Sequence, residues 1–188
     1  VAALAAHTLG ALHRVAVMPA EPAPERAERS AVDYYSPDAR FSSEVNDDRV
    51  RSAQEAARGH ADPRGIVARG ERVWRELRPQ LDAAPENRVV RTRHGDAMLL
   101  TDFLATRVVE LVLHGLDLAD ALERAPWTAP EALAVVEGLL TERADKEALA
   151  RTGLSGLRLV RAATGRELPG DPGRPALAGT GVHDLALG

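Results

Sequence analysis

Glu110 and His114 lie inside VVELVLHGL, an otherwise apolar run at residues 108–116. Four positions apart, they share one face of a helix, one turn above the other. A helix that is apolar nearly all round is normally the buried centre of its domain, where an ionised carboxylate without a partner costs on the order of several kcal/mol. Something must satisfy the pair. Either the two side chains hydrogen-bond each other or nearby backbone groups, or a cation lies between them. His7, a lone imidazole amid Ala and Leu in AALAAHTLGAL, sits on the other strongly apolar helix and supplies a third ligand for the second reading. Two neutral imidazoles and one carboxylate from facing helices hold a divalent metal and leave coordination positions open, whereas closed structural zinc sites use four protein ligands. Zinc suits this set, as do Fe(II), Mn(II), Co(II) and Ni(II). Thr106 and Asp117 fall on the same stripe of the helix. Asp117, one turn beyond His114, reads either as a group that orients the imidazole from behind or as a polar residue near the helix end.

The remaining chemistry-bearing residues are less pointed. His13 lies near the end of its helix, His60 and His94 sit in Gly-flanked turns, and His183 lies in the tail; each reads as a surface histidine. Arg91, Arg93, Arg14 and Arg107 could bind an anionic group, although any one of them alone reads as a solvated arginine. Tyr34, Tyr35 and Phe41, half of the chain's aromatics, fall in DYYSPDARFSSE, a segment expected to lie over a pocket.

The elements that must position these residues are mainly helices. Val1 to Met18 carries an apolar stripe of Leu4, Ala11, Leu12 and Val15, and the prolines at 19, 22 and 24 end it. A polar connection follows. Asn46 or Asp47 caps a helix to about Gly59, and a longer amphipathic helix runs from about Arg64 to Ala83 through Ile66, Val67, Val73, Trp74 and Leu77. NRVVRTRHGDAMLL reads as two short β-prone runs about a turn at His94-Gly95-Asp96. Thr101 caps the helix bearing Glu110 and His114, which ends before Pro126. A capping box from Thr128 to Glu131 opens another helix to about Arg143, and Gly156 to Thr164 is a short helix closed by Gly165. Such a chain is most simply an all-α antiparallel bundle with a hairpin or extended connection before its last core helix.

Composition narrows the function classes. At 188 residues the chain is long enough to bury a single core. It has no Cys, so a metal must be held by His, Asp or Glu, and neither a disulfide nor a cysteine nucleophile is available. With 24 basic and 28 acidic residues, a net charge of −4 and no long basic block, it does not read as a nucleic-acid binder. No apolar stretch reaches the roughly 18 residues of a membrane span, and there is no secretory signal, so the expected location is the cytoplasm. VAALAAHTLGALHRV begins directly in helical periodicity, so the chain as given is expected to start inside a helix.

AALAAHTLGALHRV, RTRHGDAMLLTDFLATRVVELVLHGLDLADAL, LRLVRAATGREL and the closing GVHDLALG resemble the actinobacterial maleylpyruvate isomerase family, the mycothiol-dependent branch of the DinB-like superfamily. The resemblance covers nearly the whole chain, and RVVELVLHGLDLADAL is its most specific part. It implies a DinB-like four-helix bundle whose divalent metal, usually zinc, is bound by a His on the second helix and by a Glu and His four apart on the fourth. Those positions match His7, Glu110 and His114. The family's first helix has no counterpart before Val1, so residues there are expected to be either deleted or merely left out of the numbering; if deleted, the bundle is expected to lack a helix and need a partner chain, and a monomer and a homodimer are both open. The resemblance further implies residues 1–125 as the metal-binding bundle, 126–188 as a C-terminal helical extension and tail packed on the same domain, and a low-molecular-weight thiol, typically mycothiol, used as a metal-activated thiolate on a small electrophile. Isomerisation of a cis double bond and S-transfer are both open to such chemistry. A bundle that binds a metal or small molecule without catalysis uses the same residues, and an interaction protein would need Glu110 and His114 only as a core pair.

Overall fold

A computed structural model of the chain describes residues 1–18, 21–37, 43–58, 63–92 and 94–185. Helix α1 (Ala2–Val17) carries His7 and buries Ala11 and Val15. It packs against α3 (Ser43–Arg58), α4 (Pro63–Asp82) and α5 (Leu100–Ala121), so these four helices form the bundle around the site. On α4 the apolar positions Ile66, Val73 and Leu77 face inward, as their helical spacing requires, while Val67 and Trp74 are exposed. Between α1 and α3 lies the short helix α2 (Ala31–Tyr34), capped by the Ser30 hydroxyl, which accepts from Asp33 N at 3.1 Å.

The segment before α5 is a hairpin. Strands β1 (Val89–Arg91) and β2 (Ala97–Leu99) pair antiparallel, with Val90 opposite Met98. Thr92 N donates to Asp96 O at 2.7 Å to close the turn, where Gly95 takes a φ of +92° that strongly favours glycine. Arg29 reaches over to Asp96 at 3.1 Å and pins the turn to the segment before α2.

Helix α5 is the central element. It buries residues on most of its circumference, among them Phe103, Val109, Val112, Leu113 and Leu116, because α1 packs on one side and α6 (Pro130–Thr141) on another. The chain continues through α7 (Lys146–Thr152) and α8 (Gly156–Ala163) to a 3₁₀ turn at Arg174–Leu177. The fold is thus mainly helical with one small hairpin, the all-α DinB-like bundle expected from the sequence.

Three helix starts differ from the sequence reading. Thr101 does not cap α5; the helix starts at Leu100, whose N–H donates to Arg88 O at 2.7 Å, so strand β2 runs directly into the helix. Helix α3 starts at Ser43, which places Asn46 and Asp47 inside the helix rather than at its cap. In α6 the N-cap is Ala129, with Pro130 at the first position and no side-chain cap, so the Thr128–Glu131 box does not form. The sequence reading also passed over α2 and α7. The latter carries clear signals: Asp145 accepts from Glu147 N and Ala148 N, and Gly153 closes the helix in the left-handed region. Phe41, His60 and Arg93 lie outside the described residues.

Candidate metal centre

Helices α1 and α5 bring His7, Glu110 and His114 together. His114 Nε2 lies 3.2 Å from Glu110 Oε2, and His7 Nε2 lies 3.9 Å from the same oxygen. The two imidazoles meet edge to face, with ring centroids 5.0 Å apart and an angle of 81° between the rings. One ligand atom from each residue falls within 4.8 Å of the others. Around a four-coordinate ion with bonds of about 2.0–2.2 Å, ligand atoms stand about 3.3–3.6 Å apart, so small side-chain adjustments would suit these three to one cation.

The cluster is half-buried rather than sealed in the core. Side-chain exposures of 33%, 24% and 18% for His7, Glu110 and His114 arise because the polar stripe of α5 forms part of the wall of a cavity of about 630 Å³. The sequence reading expected full burial from the apolar neighbours; those neighbours do face the core, and the Glu110–His114 stripe faces the opening. Thr106, on the same stripe, is fully buried and turns its hydroxyl to Phe103 O at 2.6 Å, so it takes no part in the cluster.

Asp117 stands behind His114, with Oδ2 3.3 Å from Nδ1. It is itself gripped by Arg166, whose Nε and Nη2 donate to its two oxygens at 2.8 and 3.0 Å. A carboxylate on this side suits a proton on Nδ1, which leaves Nε2 turned toward Glu110. Burial works against ionisation of Asp117, yet the hydrogen bonds from His114 and Arg166 hold its carboxyl at about 2. Burial likewise opposes a charged Glu110, but the His114 hydrogen bond and the charges of Arg107, His114 and His7 bring it to about 2. For His114, burial disfavours the imidazolium, while hydrogen bonds to Asp117 and Glu110, with their charges, push it up to about 9. His7 moves the other way, lowered by burial and by the charge of His114. In the absence of a cation, then, a proton on His114 Nε2 occupies the place beside Glu110 that a metal would take, while burial and the His114 charge disfavour a proton on His7.

The cavity wall also holds residues that the sequence analysis treated as minor. Arg14, Arg107 and Tyr34 line it, as do Arg49, Arg166 and His94. His94 was read as a surface histidine; the hairpin turn carries it to the cavity instead, and the Gly-flanked spacing gives no sign of this. Of the expected aromatic cover, Tyr34 reaches the cavity, whereas Tyr35 is fully buried with its hydroxyl donating to Thr106 O at 3.0 Å. Arg91 is exposed and donates to Gly95 O at 2.6 Å. His13 is exposed, as read. His183 is not a free surface residue: it is partly buried, its backbone N–H donates to Leu140 O at 2.8 Å, and its Nε2 is enclosed.

A helical bundle with a small hairpin before its central helix, and with two imidazoles and a carboxylate drawn onto one cavity wall by facing helices, places the protein in the DinB-like class. The family model of the mycothiol maleylpyruvate isomerase N-terminal domain matches residues 1–119, and the chain belongs to that family. No curated protein and no solved structure matches it. Among the described residues no helix is long and apolar enough to cross a membrane.

Proposed function

We propose that the protein is a metal-dependent enzyme in which His7, Glu110 and His114 hold a divalent cation, with zinc the first choice, and in which a low-molecular-weight thiol, mycothiol by family, attacks a small electrophile. The observation that carries this reading is the convergence of the three ligand atoms on the wall of an open cavity of about 630 Å³. Small-molecule pockets typically span about 300–1,000 Å³. A bound cation would supply the acidity that turns a coordinating thiol into a thiolate at neutral pH.

The chain's own residues bind and orient. Asp117, anchored by Arg166, keeps the Nδ1 proton of His114 in place and leaves Nε2 for the cluster. Ala3, Leu4 and Ala6 make one wall of the cavity apolar, which would limit water around a bound thiol, and His94 lines the same cavity. Attack of the sulfur on an activated cis double bond, rotation, and elimination of the same thiol gives an isomerase. Displacement of a leaving group gives an S-transferase. Both begin with the same carbon–sulfur bond, so one site serves either outcome. We further propose that residues 126–188 form an extension of the same domain rather than a separate one, since α6 packs on α5 and Arg161 and Arg166 reach back to Asp120 and Asp117.

The test is turnover of the zinc-loaded protein with mycothiol against panels of cis-unsaturated acids and of electrophiles with leaving groups. Metal-dependent conversion that disappears in His114→Ala is expected. Stoichiometric metal with no conversion of any member would favour a binding bundle instead.

A further inference from the structure

His7 and Arg14 are seven residues apart on α1, and Arg107 and His114 are seven apart on α5. His7 meets His114, and the Arg14 and Arg107 charges act on each other, so the two helices run antiparallel and stack two layers. The guanidinium layer lies about 10 Å along the helices from the imidazole layer, two turns away. Both arginines line the large cavity, and both also line a second, adjoining space of about 160 Å³ together with Tyr34 and Arg91.

Neither cation has a carboxylate hydrogen-bonded to it, and the Glu110 charge acts on both only at longer range. Arg107 is only 8% exposed, yet its partners are neutral: Nε donates to Thr106 Oγ1 at 3.2 Å, Nη2 approaches the Tyr34 hydroxyl at 3.4 Å, and the guanidinium stands over the Phe103 ring at 4.9 Å from its centroid. Nη1 makes no hydrogen bond with a described residue. Arg14 is half-buried and makes neither a hydrogen bond nor an ion pair with a described residue. Burial and the neighbouring Arg107 charge lower its affinity for its own proton. Glu110, one turn from Arg107, is turned to His114 at 3.2 Å. At the junction of two cavities, two guanidiniums that repel each other and share only the Glu110 charge are costly unless an anion joins them. Their planar forks suit the two oxygens of a carboxylate, and no lysine lines either space.

We propose that Arg14 and Arg107 form a carboxylate subsite for a small organic acid, two helical turns from His7, Glu110 and His114. The subsite itself stands without a metal; that the rest of the acid extends to the imidazole layer rests on the function proposed above. The carboxylate belongs to the electrophile, since mycothiol carries none.

The experiment is calorimetric titration of the metal-stripped protein with succinate, with sodium chloride at matched ionic strength as the control. Saturable binding is expected, weakened by roughly tenfold or more in Arg14→Gln and in Arg107→Gln and unchanged in Arg151→Gln, an exposed α7 position that lines neither space. Should Arg107→Gln fail to fold, Arg14→Gln carries the test, since Arg14 holds no structural hydrogen bond. Binding no stronger than that of chloride, or full affinity in Arg14→Gln, overturns the subsite. Loss of the metal reading shows separately, as absence of zinc binding with succinate binding retained. In turnover assays of Arg14→Gln, a KM raised for the electrophile and not for mycothiol is expected; an unchanged KM for the electrophile counts against the proposal.

Discussion

At the scale of single residues, His114 holds the site together. Its Nε2 faces Glu110 at 3.2 Å and its Nδ1 faces Asp117 at 3.3 Å. Replacing it with Ala removes one of three ligands from a partly open wall, so His114→Ala should lose stoichiometric metal by elemental analysis while keeping its helical circular dichroism; full occupancy in that variant would sink the assignment. Asp117→Asn is the subtler change. It keeps the shape but removes the charge behind the ring, and metal affinity should fall by about 10–100-fold, the usual effect of losing an orienting partner. An unchanged affinity by competition with a chromogenic chelator would show that Asp117 serves only to anchor Arg166. The pair Glu110 and His114 was legible because an i, i+4 spacing in an apolar run leaves few alternatives, and His7 because it was the lone polar ring on its stripe. Arg107 was named but not distinguished, because TRVVE gives no sign that Phe103 and Tyr34 enclose a guanidinium.

At the scale of elements, α8 and the residues just after it are fastened to the C-terminal half of α5 by two forked ion pairs of different character. Arg161, 4% exposed, donates to both oxygens of Asp120 at 2.7 and 2.8 Å. Arg166 does the same to Asp117, nearer the site. Asp120→Ala leaves a buried guanidinium with the Arg166 carbonyl as its remaining hydrogen-bond partner among the described residues; because Asp120 is itself well exposed, the loss should be about 1–2 kcal/mol in urea unfolding, with metal affinity unchanged. A loss of metal binding in that variant would mean that the clasp, and not only Asp117, sets the His114 geometry. The long helices could be read from periodicity because each repeats its apolar face over many residues. The helix starts could not, because at α5 a strand supplies the cap through Arg88 O and at α6 Pro130 sets the first turn, and tertiary and backbone constraints of this kind override side-chain preference. The four-residue α2 has no periodicity to detect.

At the scale of the whole molecule, the cluster ties folding to both metal and pH. Without metal, His114 is raised from 6.5 to about 9 in the folded chain, so its contribution to stability is fully present below pH 6.5 and is lost as the pH rises through 9. Glu110 and Asp117, held at about 2, contribute above their ordinary range and lose that contribution as the pH falls toward 2. His7, lowered, opposes folding below 6.5, where its unfolded form takes a proton more readily. A cation reverses the first of these trends, because it binds the deprotonated Nε2 of His114 and so competes with a proton whose hold weakens as the pH rises. The gap in Tm between zinc-loaded and chelator-treated protein should therefore widen from about pH 6 to about pH 9. The loaded form gains as the apo form fades. Differential scanning calorimetry at three pH values, compared with His114→Ala, reads this directly: the variant should show little gap at any of them. A wild-type gap that stays constant or narrows would mean that the cation does not displace the His114 proton, and that the glutamate and histidine of VVELVLHGL are satisfied by each other.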